Sequence, residues 1–222
     1  MKMLYRYYWI ILSKIREWTN PYLGPIRRRR LKKKDITIIS NNCWGGHFYR
    51  WFQLSYDSPT IGLYIFPADY IKFVYDIKKY MSLELQFISV EQSKYKDVLI
   101  KNNEQNVPIG LLGDVEIVFL HYHSAAEAYD KWNRRKNRIH WNNIYYKFSQ
   151  MNDCKEEHLI AFDKLGTSRK FMFTSSYRTD LSSAIHMKCF QDDKGQILLD
   201  TVNFKPNLNL VKFINSDGLN YR

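Results

Sequence analysis

The chain has 222 residues, 45% hydrophobic and 16% aromatic, so a sizeable core is available and global disorder is excluded. The net charge of +12 is uneven: residues 1–34 hold eleven Lys or Arg against one acid, Glu17, a local +10 that leaves only +2 for the rest. A nearly neutral body argues against nucleic-acid binding, which calls for a basic face, and three widely spaced cysteines (Cys43, Cys154 and Cys189) give neither a disulfide framework nor a Cys-x-x-Cys metal knuckle, as suits a reducing, cytosolic compartment.

Residues 3–18 read as an aromatic-rich helix in which Leu4, Tyr7, Tyr8, Trp9, Ile10, Ile11, Leu12, Ile15 and Trp18 are interrupted by Lys14 and Arg16. The apolar run is too short to span a bilayer, and no small-residue cleavage site follows it. Asn20-Pro21 and Gly24-Pro25 should break the helix, and Arg27–Lys34 then supplies seven cations in eight residues. Trp, Tyr and Lys/Arg together suit an anionic membrane surface. A solvated basic linker and a nucleic-acid arm are the other readings. Residues 1–34 are thus expected to be a basic amphipathic appendage, and 35–222 one catalytic or binding domain.

From Asp35 onward strands and helices alternate. Ile36–Ser40 reads as a strand and Trp44–Leu54 as a helix with Phe48, Trp51 and Phe52 inward; Asp57–Thr60 is a turn, and Ile61–Phe66 a second strand. Pro67 opens a helix over Ala68–Met81. Leu83–Val90, Val107–Leu111 and Val115–Tyr122 read as extended, whereas Glu91–Gln105 gives no clear signal. Ser124 and Glu127 form a capping box at the start of a helix that ends near Ile139. Asn143–Phe148 and Arg169–Thr174 are strands flanking a helix over Lys155–Leu165, which Gly166 ends. His186–Phe190 and Gln196–Phe204 read as a hairpin, and Leu210–Ile214 as a last strand or helix. The expected fold is α/β or α+β, a mixed sheet flanked by helices with an N-terminal amphipathic helix.

The stretch Ile36-Thr37-Ile38-Ile39-Ser40-Asn41-Asn42-Cys43-Trp44-Gly45-Gly46-His47 carries the candidate chemistry. A cysteine at a helix N-terminus, where unpaired N–H groups favour an anion, is expected to have a lowered pKa and to serve as a nucleophile. A buried junction cysteine is the plain alternative. Its base would be His121, or His123, at the end of the strongest strand; His47 lies one helical turn on. Asp153 or Asn152 would orient that base. Asn41 and Asn42, with the Cys43 N–H, could form an oxyanion hole or cap the helix. The pair Gly45-Gly46 after Cys43 and Trp44 suggests that a substrate or a neighbouring strand comes close to this turn. Lys131, Arg134, Arg135, Lys136 and Arg138 form a second basic cluster that could hold a phosphate or sugar nucleotide, or line a solvated helix face. Nothing matches a phosphate loop, a dinucleotide fingerprint or a glycosidase carboxylate pair, so no cofactor or metal is expected.

Asn41-Asn42-Cys43-Trp44-Gly45-Gly46 and Ser58-Pro59-Thr60-Ile61-Gly62-Leu63, followed by Asp69-Tyr70-Ile71-Lys72-Phe73, Pro108-Ile109-Gly110, His121-Tyr122, Lys131-Trp132, Arg134-Arg135 and Arg138-Ile139, resemble a bacterial domain-of-unknown-function family, nineteen-nineteen. The match runs over roughly residues 30 to 205. It implies a role in exopolysaccharide or capsule biosynthesis. The order of Cys43, the Ser-Pro turn, His121 and the Arg-Arg-x-x-Arg helix is also similar to papain-like cysteine peptidases, which implies Cys43 as nucleophile and His121 as base. The expected function is therefore a thiol-dependent acyltransferase or hydrolase in cell-surface polysaccharide assembly, acting on a polysaccharide precursor or acyl donor from the inner face of the plasma membrane. A glycosyl- or phosphosugar-transferase using Arg134, Arg135 and Arg138, and a non-catalytic membrane-associated scaffold, are the alternatives.

Overall fold

Residues 2–187, 191–192, 194–203 and 208–218 are described by a computed structural model. Helix α1 (Lys2–Arg29) is followed by strand β1 (Thr37–Ser40) and helix α2 (Trp44–Phe52). Then come α3 (Pro67–Tyr75), α4 (Ile77–Ser82), β2 (Gln86–Ile88), α5 (Lys96–Lys101), β3 (Ile109–Leu112), β4 (Val115–Val118) and α6 (Ala125–Lys136). The chain closes with β5 (Ile144–Ser149), α7 (Glu156–Asp163), β6 (Lys170–Thr174), β7 (Ala184–His186), α8 (Asp200–Asn203) and α9 (Leu210–Asn215). The fold is mixed α/β: a parallel sheet ordered β1-β5-β6-β7 and an antiparallel sheet ordered β2-β3-β4.

The parallel sheet is covered on both sides, which is why its strands are apolar on alternate and adjacent positions alike. Ile39, Phe148 and Met172 join Tyr70, Phe73, Trp132 and Phe162 in one core layer. Their neighbours Ile38, Tyr145, Phe171 and Phe173 join Trp44, Phe48, Phe52 and Phe213 in the other, under α2 and α9. As the edge strand, β1 has its outer side satisfied by side chains instead of a partner strand. Ser58 Oγ donates to the Ile38 carbonyl at 2.6 Å, Ser40 N–H donates to Thr60 Oγ1 at 3.1 Å, and Ile38 N–H donates to Tyr49 Oη at 3.1 Å.

Several sequence expectations need correction. Helix α1 runs unbroken through Pro21 and Pro25. Its inner face is held by tertiary contacts that offset the lost backbone bonds: Arg27 lies 3.4 Å over the Trp51 ring and donates to the Trp51 carbonyl at 3.2 Å. At Gly24 a Cβ would fall 2.3 Å from the Gln53 side chain, so only glycine allows this approach to the end of α2. The Ile61–Phe66 segment is no strand and makes one bridge, Tyr64 to Val118. The helix over Ala68–Met81 is two helices that part at Asp76. The strongest apolar strand, β4, belongs to the small antiparallel sheet and ends at Val118, three residues before His121. In the Ser124 box, Ser124 Oγ accepts from Glu127 N–H, but the Glu127 carboxylate takes the His123 N–H, so the box is only half made. The hairpin is kept only at its turn, where Gln191 and Ile197 form an antiparallel bridge and Asp192 N–H donates to the Gln196 carbonyl at 2.9 Å; on either side β7 pairs in parallel with β6 and Asp200–Asn203 is helical, and residues 188–190 (with Cys189), 193 and 204–207 lie outside the described residues. The final segment is a helix.

Candidate functional site

Cys43 follows β1 after Asn41 and Asn42 and is the N-cap residue of α2, with φ −65° and ψ −3°. It opens on a cleft of about 320 Å³ lined by Asn42, Cys43, His47, Tyr64, Asn102, Glu104, Leu120, His121, Met151, Asn152, Leu198, Leu199, Asp200 and Thr201. The cleft lies at the carboxyl ends of β1 and β5, where open α/β sheets gather their binding sites. His121 reaches it from the loop after β4. Its N–H donates to the Gly62 carbonyl at 3.0 Å, and Gly62 adopts φ +74°, a left-handed turn suited to glycine. The next residue, Tyr122, is locked by Arg135 Nη1 at 2.5 Å, which fixes the loop that presents His121.

Beneath Cys43 lies a buried polar network that sequence reasoning missed. Lys147 on β5 is fully enclosed and pairs with Asp200 on α8. Asp200 Oδ2 also accepts from Ser149 Oγ at 2.6 Å and Asn42 Nδ2 at 2.8 Å, while Lys147 donates to Asn42 Oδ1 at 2.6 Å. Burial pushes the Lys147 ammonium down to about 8 against the opposing pull of Asp200. Burial alone would push the Asp200 carboxyl up, but Lys147 and the hydrogen bonds from Lys147, Ser149 and Asn42 together hold it below the ordinary range. One signal was available: a lysine in Ile-Tyr-Tyr-Lys-Phe-Ser, a strand buried on both faces, has no route to solvent and needs a counter-charge.

The expected low-pKa thiolate is overturned. Burial pushes the Cys43 thiol up to about 11, Asp200 adds to this, and Lys147, Arg50 and the Cys43 N–H offset only part of it. The thiol instead points to the Leu63 carbonyl at 3.7 Å. His47 is driven the other way: burial first, then Arg50, pushes its imidazole down to about 4, so it is neutral.

The other expected residues divide clearly. Asn42 and His47 join Cys43 and His121 in the cleft. Neither Asn41 nor Asn42 is available as an oxyanion donor. The Asn41 amide is bonded in both directions to the Ser149 backbone, at 3.1 and 3.0 Å, and Asn42 Nδ2 is taken by Asp200 and Met151. Asn42 Oδ1 instead accepts the Trp44 N–H, so the capping reading holds for it. Trp44 is wholly buried against Phe171 and Phe173. Gly45 and Gly46 face Ile61 and Ser40 at ordinary contact distances, so protein packing, not substrate, is what approaches them. Of the two expected orienting residues Asn152 lines the Cys43 cleft and Asp153 does not; together they form a left-handed turn and line a neighbouring cavity of about 480 Å³. His123 stands outside the cleft, its backbone N–H bonded to Glu127. The α6 cations do not converge: Arg135 is buried on Tyr122, Lys131 pairs with Glu127, Lys136 reaches the Leu83 carbonyl, and Arg134 and Arg138 are exposed. The Tyr64 hydroxyl donating to Glu104 at 2.6 Å is a further polar pair in the cleft with no counterpart in the sequence reading.

Over residues 15–216 the chain matches the family described as Domain of unknown function (DUF1919). The chain belongs to that family. A Haemophilus influenzae relative, described as an uncharacterized protein, is 29% identical over 170 residues, which is 77% of this chain and 76% of that one. In this DUF1919 protein several of the motif residues fix the backbone of the two sheets. Asp69, buried, accepts the Glu116 N–H at 2.8 Å and the Lys94 ammonium at 2.7 Å. Tyr70 donates from under the sheet to the carbonyls of Ile39 and Lys147, each at 2.9 Å. Ser58 and Thr60 seal the rim of β1.

Proposed function

We propose that the cleft performs thiol-dependent acyl transfer or hydrolysis, with Cys43 as nucleophile and His121 as base. The observation that carries this reading is that Cys43 and His121, brought from separate elements, line one cleft at the carboxyl edge of a parallel sheet. A thiol held near 11 is protonated at neutral pH and needs a base during attack. His47 is a poor acceptor: moving a proton from a thiol near 11 to an imidazole near 4 is uphill by about 9–10 kcal/mol, at about 1.4 kcal/mol per unit. His121, by contrast, is exposed at the rim of the cleft. In the proposed cycle Sγ attacks the acyl carbonyl carbon as its proton passes to His121. The leaving group departs with that proton, and water or an acceptor hydroxyl then cleaves the thioester and regenerates the thiol. The same two residues are those implied by the similarity to papain-like enzymes. The proposed setting, cell-surface polysaccharide assembly, is supported by the family resemblance and makes an acylated saccharide precursor the substrate class to assay.

Hydrolysis of p-nitrophenyl acetate, with mass spectrometry of the acyl-Cys43 peptide, tests the site. Cys43→Ala and His121→Ala are expected to lose activity by about a hundredfold or more with melting temperatures retained. Full activity in Cys43→Ala would sink the reading.

A further inference from the structure

Helix α1 is 28 residues long, about 42 Å at 1.5 Å per residue. Its inner face packs on α2 and α8, the elements that carry Cys43, His47 and Asp200. Arg16 donates to the Val202 carbonyl, Arg27 lies over Trp51, and Glu17, the helix's one acid, turns to His47 and Arg50 at 3.8 and 3.9 Å. Along the outer face Leu4, Tyr8, Ile11, Ile15, Trp18 and Tyr22 repeat at alternating spacings of four and three, and all are exposed: Leu4 by 76%, Trp18 by 75% and Tyr22 by 72%. A continuous apolar stripe of this length asks for a partner. No helix among the described residues is long and apolar enough to cross a membrane.

We infer that α1 lies flat on an anionic lipid bilayer by this stripe and holds the cleft against the membrane surface. Charge selects the occupant. Exposed Lys14, Arg29 and Arg30 accompany the stripe, and the helix's one acid, Glu17, is half exposed but turned to His47 and Arg50, so a second copy would set cation against cation, whereas anionic headgroups neutralise them. The stripe's composition agrees, since Trp and Tyr place an apolar ring and a polar edge at headgroup depth. Orientation follows from the packing. A cavity of about 240 Å³ lies beneath α1, bordered by Ser13, Arg16 and Glu17, and it shares His47 and Thr201 with the Cys43 cleft. The cleft therefore lies on the inner side of the helix that meets the lipid, about one helix width (~10 Å) behind it. The substrate presented to Cys43 is then lipid-borne, a conclusion that rests on the thiol reading above.

The test is co-sedimentation of the full chain with vesicles of phosphatidylcholine alone or mixed equally with phosphatidylglycerol. Binding is expected only to the mixed vesicles, weakening with salt. Ile11→Glu with Trp18→Glu, both on the outer face, is expected to weaken it by about a hundredfold while the circular dichroism spectrum and melting temperature stay unchanged. No binding by the parent protein, or equal binding by the variant, overturns the inference; so does a dimer in light scattering that the variant dissolves, which assigns the stripe to a second copy. For the substrate, mixed vesicles should accelerate cleavage of embedded p-nitrophenyl palmitate but not of soluble p-nitrophenyl acetate, and the gain should vanish in the variant. Failure to cleave the acetate counts against the thiol site and leaves the sedimentation result to judge the membrane contact; acetate cleavage with no vesicle gain on palmitate overturns the lipid-borne substrate.

Discussion

Two ion-pair networks in this protein have similar chemistry and opposite surroundings. On the surface Arg178 makes four close hydrogen bonds, two to Glu156 and two to Asp180, at 2.5–2.9 Å. Both carboxylates are about 60% exposed. At the floor of the cleft Lys147 and Asp200 are enclosed with Asn42 and Ser149. In the first, water competes for every bond, and the network orders a loop at little net gain. In the second, neither charge can be left alone, and the strain shows as a lysine pushed down to about 8. A protein keeps such a pair where position matters more than stability, and here it ties the ends of β1 and β5 to α8 directly under Cys43.

Breaking each network separately measures that contrast. Lys147→Met strands the Asp200 carboxylate and is expected to cost about 3–5 kcal/mol in urea unfolding, whereas adding Asp200→Leu to it should recover much of the loss. A double variant no better than the single one would mean that the pair contributes packing and not charge compensation. The next effect is smaller and sits on the cleft wall. His47 titrates near 6.5 when unfolded and near 4 when folded, so between those values the unfolded chain holds more protons. Acidification through that window therefore removes stability, on the order of 2–3 kcal/mol. His47→Gln should flatten this slope in melting temperatures recorded from pH 7 to 4. If the slope persists in the variant, another group carries it. The smallest effect belongs to the surface network: Arg178→Ala should move the melting temperature no more than ordinary surface substitutions do, and less still at high salt. A large shift there would erase the distinction between the two regions.

The same contrast explains what could be read from the chain beforehand. Local signals were strong at the strand–turn–helix around Cys43, at the Ser124-capped helix and at the strands ending in Phe148 and Thr174, because each is settled by its own few residues. Cys43 and His121 share a cleft as expected, yet the thiol's protonation was misjudged, because burial and Asp200 outweigh the helix terminus and both act through tertiary contacts. Lys147 and Asp200 are 53 positions apart, and Asp200 sits in Leu-Leu-Asp-Thr, whose pattern reads as a strand. The α6 cations looked like a cluster because they are close in sequence, but the helical turn sends Arg135 inward and Arg134 outward.

The rim of β1 has a consequence for how this protein behaves among its own copies. An outer strand normally offers a row of free backbone groups on which another chain can build. Here the hydroxyls of Ser58, Thr60 and Tyr49 occupy that row. The strand, which ends at Ser40, cannot serve as a template for edge-to-edge aggregation while those three hydroxyls remain in place.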